Sequence, residues 1–88
     1  MKVDENYKLL CAAIVFEQCI EYDEAYRSYL KSPYRKQEWR KRRPKELRDN
    51  LVRGFGAYLD IDMEKIAKEI ELKAQKGEQI IWKKRAML

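Results

Sequence analysis

The chain contains no histidine. That absence removes the commonest general base, the usual nucleophilic triads and most zinc sites together. The sequence is therefore read as non-catalytic, with no cofactor and no metal. Glycine and proline are also scarce, at 3 and 2 of 88 residues, and 45% hydrophobic residues stand against 40% charged ones. Such a composition is globular and helix-prone, neither disordered nor collagen-like. Long apolar runs are missing as well. The longest nearly uncharged stretch, Leu9 to Phe16, falls far short of the roughly 20 residues a membrane span needs. No basic leader with a cleavage site precedes it, so a cytoplasmic protein with no membrane partner is expected. Cysteine occurs twice, at Cys11 and Cys19. Eight residues along one helix would hold their Cα atoms about 12 Å apart, beyond disulfide reach. Reduced thiols suit a cytosol.

What the chain does have is charge, unevenly distributed. The total is +5, but residues 1–30 carry 3 basic and 6 acidic groups, residues 31–53 carry 10 and 3, and residues 54–88 carry 7 and 6. The positive field belongs to the middle of the chain.

Apolar periodicity predicts an all-α fold, a single bundle of three to five helices built on a long N-terminal helix. That first helix is expected over 4–31, with Asp4 as its cap. Tyr7, Cys11, Ile14, Gln18, Tyr22, Ala25 and Tyr29 share one stripe, which only Gln18 interrupts. Gln18 is expected to be at least partly buried and hydrogen-bonded. Leu9, Ala13, Phe16 and Ile20 point to the opposite side, so this half must be sandwiched, within the bundle or in a homodimer. Ser32-Pro33 predicts a stop and a restart, giving a basic helix or connector over 33–43. Pro44 predicts a second restart and a helix over 45–59. Gly54 and Gly56 within it suggest a close crossing or a local break. Asp60 and Asp62 are cap candidates for a helix over 62–76 that ends before Gly77. The tail, 78–88, reads equally as a last helical turn or an extended arm.

Three constellations invite a functional reading. Glu17, Glu21 and Glu24 follow one helix face, but carboxylate metal sites in bundles pair Glu with His, and a solvated acidic stripe is the plainer reading. Arg53-Gly54-Phe55-Gly56 matches the opening of an RNA-recognition signature and then fails at Ala57 and Asp60; that signature also requires a β-sheet. The third is the basic segment, where Tyr34, Arg35, Lys36, Trp39, Arg40, Lys41, Arg42 and Arg43 interleave six cations with two rings. Clustered cations neutralise phosphates and an exposed ring stacks on a base, so this pattern suits nucleic acid. The same residues would suit an acidic host protein surface. Alternatively, Trp39 anchors the segment to the core and its cations are merely solvated.

The run Ala13-Ile14-Val15-Phe16-Glu17-Gln18-Cys19-Ile20-Glu21-Tyr22-Asp23-Glu24-Ala25, the basic connector 31–46 and Gly56-Ala57-Tyr58-Leu59-Asp60-Ile61-Asp62 together resemble small helical proteins of phages and integrated elements of Gram-positive bacteria. The resemblance spans about residues 12–70. It departs at Cys19-Ile20, at Glu21 and in the longer, more basic connector. It implies a mobile-element setting, residence in the host cytoplasm and action by binding a host or phage macromolecule. The expected function is a non-catalytic accessory protein that binds nucleic acid through the central basic segment. The alternative is a protein-binding effector that inhibits a host defence or transcription system through that surface or through the apolar tail from Ile80 to Leu88.

Overall fold

The computed structural model describes residues 5–82. They form helix α1 (Glu5–Lys31), helix α2 (Glu38–Arg53), a 3-10 turn (Phe55–Leu59) and helix α3 (Met63–Gln75). No strand occurs among the described residues, so the class is all-α, with three helices. The Asp4 cap and the tail beyond Trp82 lie outside the described residues.

At 1.5 Å per residue, α1 is about 40 Å long, and it sets the 47 Å long axis of the molecule. The other three elements all pack on it. Its buried face is Cys11, Val15, Cys19 and Tyr22, spaced by 4, 4 and 3. This corrects the expected stripe, because Tyr7 is exposed while Ile14 and Gln18 lie half-buried at its margin. The core is centred between the two apolar groups seen in the sequence, where the small side chains of Val15 and Cys19 admit α3 closely. Among the described residues the opposite side is covered only in part: Leu9 and Ala13 are exposed, whereas Phe16 and Ile20 are half-buried.

The Gln18 side chain approaches Gly54, and its buried Oε1 finds no hydrogen-bond partner. The expected burial of Gln18 is therefore seen in part, but among the described residues its oxygen lacks the partner that a hydrogen-bonded amide would give it. An orphaned buried carbonyl of this kind costs about 1–3 kcal/mol.

α2 runs unbroken through Pro44, where a restart was expected. Proline removes the hydrogen bond to the Arg40 carbonyl and crowds it. The opposing force is packing. Pro44, Leu47 and Leu51 fall on one helical stripe, Pro44 is buried and Leu51 is wholly so. Only a continuous helix aims all three at α1. The helix stops instead at Gly54, and residues 55–59, expected to continue it, wind as a 3-10 turn. Gly56 explains that tight path, since a Cβ there would lie 2.1 Å from Cγ of the buried Met63.

α3 begins at the Asp62 cap, whose carboxylate accepts from the Lys65 amide at 3.2 Å. It ends before Gly77, which takes a positive φ of 74°. Met63, Ala67 and Ile70 form its buried face.

Polar contacts join all three helices. Glu71 of α3 accepts from the Tyr22 hydroxyl at 2.5 Å and from the Arg48 guanidinium at 2.6 Å, and Arg48 also pairs with Glu64 at 2.8 Å. The two carboxylates hold Arg48 protonated, and Arg48 in turn lowers the pKa of Glu64. Residues 78–82 are non-helical and return to α1. There the buried Asp23 pairs with Arg27 at 2.7 Å and accepts from Trp82 Nε1 at 3.3 Å. Arg27 also donates to the Glu78 carbonyl, and Trp82 meets Phe16 edge to face.

Gly56→Ala is expected to cost about 1–3 kcal/mol, because Met63 must leave its buried site to admit the methyl group. For a domain this small each kcal/mol corresponds to a fall of about 4–8 °C in Tm, readable by thermal circular dichroism. Alkaline pH is a second test. Burial pushes the Cys19 thiol up from 9.0 to about 11, and burial followed by the Glu71 hydrogen bond raises the Tyr22 phenol. Both groups stay neutral in the folded state and ionise more easily when unfolded. The Cys19 contribution is complete below pH 9 and is lost as pH rises through about 11, while that of Tyr22 begins to fall only near pH 10 and continues beyond that window. The urea midpoint should fall across that window, and less steeply for Cys19→Ala.

Candidate functional site

The basic segment divides at a corner. Residues 33–36 form a turn in which Ser32 Oγ accepts from the Tyr34 amide at 3.1 Å and the Tyr34 carbonyl accepts from the Gln37 amide at 2.9 Å. Gln37 then caps α2 without a side-chain bond. Tyr34, Arg35 and Lys36 therefore stand in the turn, while Trp39, Arg40, Lys41, Arg42 and Arg43 occupy the first two turns of α2. A separate basic helix ending at residue 43 is not present.

The corner brings Tyr34 and Trp39 together, with ring centroids 5.8 Å apart and planes tilted by 39°. Both rings face outward, at 58% and 62% exposure. This overturns the expectation that Trp39 might anchor the segment to the core; the tryptophan that does pack is Trp82.

The six cations differ in state. Arg40 donates to Ser28 Oγ at 3.0 Å, and Arg35 reaches the Leu30 carbonyl at 3.5 Å. Lys41 pairs with Glu38 at 3.3 Å across an exposed edge. Lys36, Arg42 and Arg43 are exposed and have no hydrogen-bond or ion-pair partner among the described residues. Four of the cations also occupy the N-terminal turns of a helix, where the macrodipole is already positive. That effect is confined to the first turn, where it disfavours Arg40 and Lys41 by about 0.3–1 kcal/mol each, in contrast to a helix C-terminus. The cost to folding is also a gain in positive potential at the corner.

Two open clefts, of about 460 and 700 Å³, extend this surface along the C-terminal end of α1. Both include Arg27 and Lys31, and between them they reach Arg35 and Arg40. Arg27 went unnoticed in the sequence because it lies in the acidic third of the chain. Only the folding back of α1 onto α2 brings it beside the basic corner.

Elsewhere, a wholly apolar groove of about 420 Å³ lies between α1, the 3-10 turn and α3, lined by Phe16, Cys19, Leu59, Ile66 and Trp82 among others. Leu9, Leu10 and Ile61 are also exposed, at 54%, 58% and 41%. Arg53-Gly54-Phe55-Gly56 closes a helix and opens the 3-10 turn, with no strand to support an RNA-recognition motif. Among the described residues, no group of three or more His, Cys, Asp or Glu side chains is placed to hold a metal ion, and no helix is long and apolar enough to cross a membrane. Comparison with protein families, curated proteins and solved structures finds no match to this chain.

Proposed function

We propose that this chain is a non-catalytic accessory protein of a phage or other mobile element that binds nucleic acid in the host cytoplasm through the corner between α1 and α2. The observation that carries this reading is the exposed Tyr34–Trp39 ring pair set among Lys36, Arg42 and Arg43. Exposed aromatic surface has little to contribute to folding, and clustered, unpaired cations oppose it by repelling one another. Both features favour a polyanion that carries π-faces. An acidic protein groove would use the same cations, but it gives no specific reason for two solvent-facing rings.

The proposal includes a two-fold homodimer formed through the N-terminal half of α1, where Leu9 and Leu10 are exposed. Leu10 and the end of α1 are about 30 Å apart along the helix. Dimerisation there would leave both basic corners free at the outer ends.

Four to six phosphate contacts on a duplex give a log-log dependence of affinity on salt with a slope of roughly −4 to −5, and about three contacts on a single strand give a slope of about −2. Replacing both Arg42 and Arg43 with Ala is expected to flatten that slope by about 1.5 to 2 without changing helicity. A tagged pull-down from host lysate distinguishes the partner classes: nuclease-sensitive recovery of many proteins supports this reading, and one stoichiometric, nuclease-resistant protein partner replaces it with the effector reading. Sedimentation equilibrium should give twice the mass of the chain, and Leu10→Glu should return the monomer.

A further inference from the structure

Resting on the nucleic-acid reading above, we infer that the ligand is single-stranded, with an unpaired base stacked on the outer face of Trp39 and its flanking phosphates held by Lys36, Arg42 and Arg43. Trp39 is supported on one side by Tyr34, so its orientation is restricted before a ligand arrives. At 5.8 Å between centroids, the two rings are too close to sandwich a base, which needs about 6.8 Å, twice the spacing of stacked bases. Stacking therefore takes place on the outward face, the side left open to solvent. Arg42 and Arg43 follow Trp39 by three and four residues, so they flank the ring one helical turn away. Lys36 approaches it from the turn. A ring bracketed by cations matches a nucleotide, whose base is bracketed by phosphates.

The rest of α2 argues against a duplex. Laid along a groove, the helix would present its whole exposed face to two phosphate ridges. Beyond Arg43 the exposed residues Glu46 and Asp49 are balanced by Lys45 and Arg53, so that stretch adds no net positive charge and would bring two carboxylates towards phosphate. The favourable surface is thus confined to the corner. At 1.5 Å per residue it spans about 10 Å, room for about three stacked nucleotides. In a duplex the base faces are already covered, and a ring reaches one only by unstacking a step, at a cost of a few kcal/mol. A single strand offers its faces without that cost.

The test is fluorescence anisotropy at one salt concentration, with an end-labelled 12-nucleotide oligothymidylate, the corresponding oligouridylate and a 12-base-pair DNA duplex. The native chain should bind at least one single strand about tenfold or more tighter than the duplex. Trp39→Ala should weaken that single-strand binding by about 5- to 150-fold, the range for loss of one stacked base. Trp39→Tyr should restore most of it, and duplex binding should not respond to either change. Because Trp39 is exposed, both variants should keep the native circular dichroism and Tm. Equal or tighter duplex binding, or a Trp39→Ala chain that binds single strands like the native one, overturns the stacking inference and leaves nucleic-acid binding standing. No binding to any of the three probes overturns both.

Discussion

Glu71 is the point at which the three helices are tied. Its carboxylate takes the Tyr22 hydroxyl from α1 and the Arg48 guanidinium from α2, and Arg48 continues to Glu64 one side of α3 further along. Tyr22 is almost wholly buried, so its hydroxyl needs a partner, and an ionised acceptor makes a stronger bond than a neutral one. Arg48 lies in the C-terminal half of α2. Once that half is fastened to α3, and Pro44, Leu47 and Leu51 are turned towards α1, the N-terminal turns of the same helix touch α1 on one side, through Arg40 and Ser28, and their outer side is left uncovered. Trp39, Arg42 and Arg43 face solvent as a consequence of where Arg48 is held.

That constraint also explains why a proline is tolerated inside α2. A break at Pro44 would uncouple the anchored half from the basic half and let the corner swing. The continuous helix gives up one hydrogen bond and in return transmits the position of Arg48 to Trp39 as a rigid rod. Sequence rules for proline describe local backbone preference, and here a buried stripe in register outweighs it.

The elements that local chemistry determines were legible in the sequence: α1 from its apolar period and α3 from the Asp62 cap and Gly77, while Gly54 and Gly56 left a close crossing and a break equally open within a helix expected over 45–59. What depends on distant residues was not. The core side of α1 falls between two apolar groups because two helices approach from that direction, and no period in α1 alone records it. Nothing in the sequence around Asp23 marks it as buried, yet it is buried where Arg27 and Trp82 converge on it. The basic segment was visible as composition, but its functional state was not. Whether Trp39 packs or protrudes, and which of six cations are already engaged, depend on Ser28, Leu30 and the Ser32 turn. These contacts arise only when the chain reverses between α1 and α2.

The length of α1 gives the molecule two chemically distinct ends. Towards its N-terminus the helix is covered mainly by the 3-10 turn, where Tyr7 meets Tyr58 edge to face, and apolar side chains remain exposed. Towards its C-terminus lie the reversing turn, the cations and the paired rings. A compact domain of this size would have a radius of gyration of about 12 Å, against the 14.2 Å observed, so the chain accepts additional surface to keep these ends apart. Glu17 and Glu21 lie on the helix between the two ends, and Glu24 lines the cleft beside Arg27, Lys31 and Arg40.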